Sequence, residues 1–182
     1  MEAVGSAPNF CWSVGSVCTK NQLTQSIFKK YSPINPKMMI AYHGDRSPKL
    51  IPEPGRPSRY GFRCLFFTPD ETLARLYALH WAKMSNRADA GFVYQADILT
   101  TSFYVHDLCG RNTHTAEFRN LIHTFNTFRI PGVLIKNALD YPSESIPYYN
   151  TSDILAVFNL SLINRIELMP SLNTHTLTQP QP

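Results

Sequence analysis

The stretch YGFRCLFFTPDETLARLYA, residues 60–78, places a strand directly before a helix. Residues 63–67 are mostly apolar and include two phenylalanines, a composition typical of a strand. Thr68-Pro69-Asp70-Glu71 follows as a capping box, in which the Thr68 hydroxyl accepts from the Glu71 backbone and the Glu71 carboxylate reaches back. Pro69 would sit at the first helical position, where its missing N–H costs nothing. The sequence therefore predicts a helix that begins here and runs to about Met84.

The apolar positions after the capping box recur at helical spacing. The predicted apolar face of this helix consists of Leu73, Leu76, Tyr77, His80, Trp81 and Met84.

The remaining periodicity predicts seven strands and three helices in all. The other strands are expected at 38–43, 91–99, 102–108, 132–135, 153–159 and 164–169, the other helices at 19–31 and 118–128, and long loops at 44–59 and 137–152. The strands crowd into the second half of the chain and do not alternate with helices. This order favours an α+β fold, a two-sheet sandwich with helices at its side.

The length of 182 residues fits one domain. Residues 1–18 have no periodicity and are expected to form a flexible N-terminal arm, and residues 170–182 are rich in Thr, Pro and Gln and are expected to be a disordered tail. The single domain would then span residues 19–169.

Composition excludes several classes of protein. There is no apolar stretch of about 20 residues, so no spanning helix is expected. The first residues have neither a basic start nor an apolar block, so they do not form a Sec signal peptide. The expectation is a soluble protein, either cytoplasmic or secreted into a host cell by another route. The net charge of +4 is small and scattered, which indicates neither nucleic acid nor a membrane surface as a partner.

The four cysteines, Cys11, Cys18, Cys64 and Cys109, form no CxxC pair. They lack the spacing of a metal site and are expected to be free thiols. The chain also lacks the GxGxxG, GxxxxGK[ST], GxSxG and HExxH motifs, so the common dinucleotide, phosphate-loop, hydrolase and zinc-protease sites have no motif behind them.

One candidate site lies at the end of the first predicted strand, in Tyr42-His43-Gly44-Asp45. A histidine side chain and a glycine backbone at a strand end can face a ligand together. Taken alone, such a histidine is more often structural. His80, His106, His114, His123 and His175 show no ligand spacing and no role is assigned to them.

Taken with three further blocks, this segment resembles the ADP-ribosyltransferase superfamily, in the His-Tyr-Glu branch that includes diphtheria toxin and the poly(ADP-ribose) polymerases. Tyr42-His43-Gly44-Asp45 is similar to the family's [WY]HG[ST] strand end, and the block from Gly61 to Tyr77 to its G-x-G-[IL]-Y-F-[AST]…A-x-x-Y pattern. Residues 129–137 and 152–163 resemble the two later strands of bacterial and phage-borne members. The four blocks cover residues 38–168 in the family's order, and they imply a split two-sheet β-sandwich.

The resemblance implies NAD as co-substrate and a role for each matched residue. His43 would hydrogen-bond the adenine-side ribose hydroxyl, and the Gly44 backbone would bind the nicotinamide amide. Tyr77 would stack on the nicotinamide ring, since an electron-rich face suits a positively charged ring. Asp153 would be the acid that orients the acceptor or polarises the reactive ribose.

The sequence departs from the family pattern at three positions. Phe66 stands where the signature tyrosine belongs, so stacking is retained and a hydroxyl contact is lost. Asp45 replaces a small Ser or Thr and places an acid beside the ribose. Asp153 replaces Glu, and Asp140, Glu144 and Thr151 are alternatives for its role. Without the Glu, mono-ADP-ribosylation or NAD hydrolysis is favoured over polymer elongation.

The sequence therefore favours an NAD-dependent mono-ADP-ribosyltransferase that modifies a protein acceptor, with the size of a bacterial effector or toxin. The loop at 137–152, with Tyr148 and Tyr149, would face that acceptor. The alternative is a catalytically inactive module of the same fold that binds NAD or a protein. A relative that transfers phosphate on RNA would need clustered basic groups, and Arg46, Lys49, Arg63 and Arg129 are dispersed.

Overall fold

The computed structural model describes residues 37–47, 60–84, 91–143 and 150–170. These residues form seven strands and two helices, with one short 3₁₀ turn at Leu160–Leu162. In chain order the elements are β1 Met38–Asp45, β2 Leu65–Phe67, α1 Glu71–Met84, β3 Phe92–Leu99, β4 Phe103–Asp107, α2 Ala116–Thr127, β5 Gly132–Leu139, β6 Thr151–Val157 and β7 Ile163–Leu168. The predicted α+β class and its two sheets are confirmed.

The strands form two sheets, which we call the first and the second sheet. The first contains three strands in the order β1-β3-β7, all antiparallel. The second contains four in the order β2-β6-β5-β4, in which only β4 and β5 run parallel. The crossover between β4 and β5 contains α2, as a parallel connection requires.

Alternation along the strands divides the core into three apolar layers. Between the two sheets lie Ala41, Phe67, Ala96, Ile98, Phe103, Leu155 and Val157. The other face of the second sheet packs on Phe118, Ile122 and Phe125 of α2. The other face of the first sheet packs, through Val93, on Ala74 and Ala78 of α1. The two sheets are thus covered by one helix on each outer side.

The two sheets meet at the bridge between Tyr42 and Thr68. The Tyr42 N–H donates to the Thr68 carbonyl at 2.7 Å, and the Thr68 N–H donates to the Tyr42 carbonyl at 2.9 Å. Among the described residues, this pair is the one backbone bridge that joins the two sheets. Beyond it β1 and β2 separate, and His43 and Gly44 follow directly on β1.

The predicted capping box at Thr68 is wrong. Helix α1 begins at Glu71, and the Asp70 carboxylate caps it by accepting from the N–H groups of Thr72 and Leu73 at 2.9 and 3.2 Å. Thr68 is held in extended conformation by the bridge to Tyr42, so the helix starts later, and its hydroxyl accepts from the Asp70 N–H. An Asp at this position is a favoured cap.

The predicted apolar face of α1 is only partly buried. Leu73 is buried and Met84 is 70% exposed, whereas Leu76, Tyr77, His80 and Trp81 are half-buried. The other buried residues of the helix are Ala74 and Ala78, which the sequence analysis did not place on that face. A Cβ on Gly44 would overlap the Ala74 carbonyl oxygen, and one on Gly91 would overlap that of Ala78. Because the strand backbones approach the helix this closely, small residues occupy the contact and the larger side chains lie to either side.

Strand β5 is longer than predicted, since Asn137–Leu139, expected in a loop, belong to it. The pairing with β6 shifts between Ile135 and Ala138, and Asn137 has a φ of 51°. This β-bulge exposes both Lys136 and Asn137. It therefore interrupts the alternation of apolar and polar residues from which a strand is predicted.

Several predictions lie outside the described residues. They concern the arm at 1–18, the helix at 19–31, all but the first residue of the tail at 170–182, most of the loop at 44–59, and Glu144, Tyr148 and Tyr149. Cys64 and Cys109 are free thiols, and burial raises the pKa of Cys64. Within the ranges that the structure covers, neither helix has the length and hydropathy needed to cross a membrane.

Candidate functional site

His43 is held at the point where the two sheets separate. Its ring nitrogen Nδ1 lies 2.6 Å from the Phe66 carbonyl oxygen, so Nδ1 carries the hydrogen and donates. Burial lowers the pKa of His43 by more than the Phe66 carbonyl and the Asp45 carboxylate raise it. The imidazole is therefore neutral near pH 7, with the lone pair of Nε2 as an acceptor.

Gly44 is a buried residue that lies against α1, and its main chain is at the edge of β1 that does not pair with β3. The backbone groups of Tyr42 bond to Thr68 and so point away from β3. Because backbone groups alternate between the two edges of a strand, those of Gly44 point the same way as those of Tyr42. The bridge does not extend to Gly44, so an N–H and a C=O face the gap between β1 and β2.

Asp45 ends β1 on the same face as His43. Its carboxylate accepts from the Arg46 N–H at 2.7 Å. The Arg46 guanidinium lies 5.7 Å from the centre of the Trp81 ring on α1, within the range of a cation–π contact. An acid and a base therefore border the open edge of β1.

Phe66 and Phe67 point to opposite faces of β2. The Phe66 ring packs against the core under α2 and lies 5.4 Å from the Tyr60 ring. The Phe67 ring faces the layer between the sheets, with its centre 5.7 Å from that of His43. The structure thus places the carbonyl of Phe66 and the ring of Phe67 against His43, while the ring of Phe66 is partly buried against the core on the other face of β2.

Tyr77 crosses from α1 toward the end of β5. At its base, a Cβ added to Gly44 would overlap the Cβ of Tyr77, so the side chain starts directly beside Gly44. At its tip, the hydroxyl donates to Asp140 Oδ1 at 2.9 Å and lies 3.2 Å from the Tyr141 carbonyl oxygen. The phenol ring therefore lies between these two ends.

Asp140 is the centre of a polar cluster that the sequence analysis does not predict. The Thr113 hydroxyl donates to the same Oδ1, and His114 Nε2 lies 3.9 Å away. His114 stacks on Tyr141 at 4.8 Å and 21°. From the sequence, Asp140 is only an alternative acid and His114 has no role. The segments that contain Tyr77, His114 and Asp140 are distant along the chain and share no motif.

Asp153 lies in a separate cluster around the bulge in β5. Its Oδ1 accepts from the Asn137 N–H at 3.2 Å, and the Asn137 side chain donates to both oxygens of Asp107 at 3.0 Å. The Cys109 N–H and the Asn137 amide both stabilise the charged form of Asp107 and lower its pKa. Because side chains alternate between the two faces of β6, Asp153 lies on the same face as Leu155 and Val157, between the sheets.

The register relates Asp153 to His43. Phe67 pairs with Leu155, and Tyr42 pairs with Thr68, so Asp153 is two strands across and two residues along from His43. Because β1 and β2 belong to different sheets and separate beyond the Tyr42 bridge, this register gives the order of the two residues and no distance between them.

The site thus combines a neutral histidine, an open backbone donor and acceptor, a tyrosine beside them, and a carboxylate further along. Such groups can hold an amide, stack on a flat ring and accept from a sugar hydroxyl. In the ranges that the structure describes, no group of three or more His, Cys, Asp or Glu residues could hold a metal ion. Comparison of the chain with protein-family models, with curated proteins and with solved structures gives no match.

Proposed function

We propose that this chain is an NAD-dependent mono-ADP-ribosyltransferase that modifies a protein. The observation that carries the proposal is the convergence of His43, Gly44 and Tyr77 where the two sheets separate. These are the three residues to which the family resemblance gives the ribose and nicotinamide contacts.

The chemistry of nicotinamide suits this edge of β1. A carboxamide is both donor and acceptor, and Gly44 presents one C=O and one N–H at the same edge. The phenol ring of Tyr77 starts beside Gly44 and can cover a flat ring held there. His43 can accept from a ribose hydroxyl through Nε2, since Nδ1 is already occupied by Phe66.

NAD would supply the ADP-ribosyl group: the bond from the ribose to nicotinamide breaks with its electrons on nicotinamide, and an acceptor nucleophile bonds to the ribose and loses a proton. The protein must then stabilise positive charge on the ribose. Asp153 is the proposed source of that negative charge, and its hydrogen bond from Asn137 fixes one carboxylate oxygen. Asp45, on the His43 face, adds a second negative charge.

The inactive NAD-binding module remains the second candidate. The observations that favour it are the Phe66 ring, which is packed in the core, and the Asp153 carboxylate, which already accepts a hydrogen bond. In that case the site would bind NAD without breaking it.

A labelling experiment tests the proposal. Purified protein is incubated with NAD labelled on the adenylate and with bacterial or host lysate, and both nicotinamide release and labelled protein are measured. We expect both from the wild type. Asp153→Asn keeps an oxygen that can accept from Asn137, so it should fold while its rate falls about 100-fold or more.

Glu117→Gln is the matched control, because it removes an exposed carboxylate from the first turn of α2. It should react at the wild-type rate. Nicotinamide release without labelled protein would indicate NAD hydrolysis. NAD binding in calorimetry without release would favour the inactive module, and neither binding nor release would overturn both candidates.

A further inference from the structure

Tyr77 is attached to both sheets. Its base lies against Gly44 of the first sheet, and its hydroxyl bonds to Asp140, which follows β5 of the second sheet. The bond joins residues 63 positions apart in the chain. The ring therefore crosses the region where the sheets separate and is held at both ends.

The acceptor itself is fixed. The side chain of Asp140 is only 13% exposed, and the Thr113 hydroxyl donates to the same oxygen as Tyr77. The two chain segments that contain Thr113 and Asp140 are also paired through their backbones. The Thr113 N–H donates to the Leu139 carbonyl and the Leu139 N–H donates to the Arg111 carbonyl, each at 3.1 Å. A carboxylate held in this way gives the Tyr77 hydroxyl one position.

We propose that Asp140 is the positioning residue for Tyr77 and so sets the affinity of the site for the nicotinamide ring; this inference rests on the proposed function. A hydrogen bond to a charged acceptor is stronger than one between neutral groups, so it fixes the position of the Tyr77 hydroxyl and with it the direction in which the side chain leaves α1. The carboxylate next to the hydroxyl also favours electron density in the ring, which strengthens its attraction to a positively charged ligand. Thr113 donates to the same oxygen of Asp140 and holds that oxygen in place.

A double-mutant cycle tests this coupling. Tyr77→Phe removes the hydroxyl alone, Asp140→Ala removes the acceptor, and the third variant contains both changes. Nicotinamide release gives KM for NAD and kcat for each. We expect each single change to raise KM about tenfold, and the double variant to be no worse than the larger single effect, because one interaction is lost in all three.

Asp140→Asn serves as the conservative rescue. It keeps one oxygen that can accept from both hydroxyls, so its KM should stay within about threefold of the wild type. It also keeps the packing if Asp140→Ala does not fold. Glu117→Gln again controls for the loss of one negative charge and should leave KM unchanged.

Additive effects in the cycle would overturn the proposal, because Asp140 would then act independently of Tyr77. A fall in kcat with unchanged KM would also overturn it, since loss of folded protein alone gives that result.

A second readout does not need NAD. In protein containing tyrosine labelled with ¹³C at Cζ, the Tyr77 resonance is assigned from its absence in Tyr77→Phe. We expect it to shift in Asp140→Ala, and no shift would overturn the hydrogen bond on which the inference depends. If the wild type releases no nicotinamide, the proposed function fails, and the positioning of Tyr77 is then judged on this resonance.

Discussion

At the scale of single residues, His43 makes the stability of the fold depend on pH. Its pKa is lowered in the folded state, chiefly by burial, from an unfolded value near 6.5. His43 therefore binds a proton more readily in the unfolded chain than in the folded protein. The free energy of unfolding is not reduced by this difference above pH 6.5, and it falls as the pH is lowered below 6.5.

The first prediction follows from this linkage. The wild type should lose stability relative to His43→Asn as pH is lowered from 7 to 5, because Asn can still donate to the Phe66 carbonyl and does not titrate. Urea unfolding of both proteins at each pH measures the difference. A difference that is independent of pH would mean that His43 is not buried as a neutral imidazole.

Gly44 leads to the second residue-scale prediction. Gly44→Ala should destabilise the protein by about 3 kcal/mol or more, because the new methyl overlaps the backbone of α1 and neither element can move freely. Gly110→Ala is the control: its φ is 77°, but the nearest atom, in Thr151, is 4.0 Å from the added carbon, so only backbone strain of about 1 kcal/mol is expected. Equal costs in denaturant unfolding would contradict the close contact of β1 and α1.

At the scale of elements, the cap of α1 is the most informative contact. Asp70→Ala should cost about 1 to 2 kcal/mol, because two N–H groups lose their acceptor and Ser152 loses a hydrogen bond. Glu71→Gln should cost about 0.5 kcal/mol or less, because Glu71 forms a surface ion pair with Arg75 in place of the predicted capping contact. Thermal unfolding separates the two positions, and the reverse order would contradict Asp70 as the cap of α1.

Some elements are predictable from the sequence because their patterns are local. The apolar spacing of Phe118, Ile122 and Phe125 is enough to predict α2, and alternation is enough for β3 and β4. The start of α1 is not, because it depends on Thr68 being paired with Tyr42, which is distant in the chain.

The candidate site shows the same division. His43 and Gly44 are singled out by a local motif together with the family resemblance, and the structure places Gly44 beside the base of Tyr77. Asp140 and Thr113 could not be ranked from sequence, because their importance comes from a hydrogen bond to Tyr77 across the fold. The packing of Phe66 away from His43 likewise depends on which face of β2 meets α2.

At the scale of the whole molecule, the apolar layer between the sheets joins His43 and Gly44 on the first sheet to Asp153 on the second. Leu155 is fully buried in that layer, on the second sheet opposite Phe67. Leu155→Ala should cost about 2 to 5 kcal/mol. The unfolding midpoint measured by circular dichroism and the midpoint measured by tryptophan fluorescence, to which Trp81 on α1 contributes, should shift by the same amount. Separate transitions would show that the sheets unfold independently.

The most direct test of the proposed site is a crystal structure of the protein with NAD or an unreactive analogue bound. We expect the nicotinamide amide to bond to the N–H and C=O of Gly44, the ring to lie against Tyr77, and a ribose hydroxyl to donate to His43 Nε2. We also expect the Asp153 carboxylate to be the one nearest the reactive ribose. Nicotinamide bound away from Gly44 and Tyr77, or no binding at saturating NAD, would contradict the proposed NAD site.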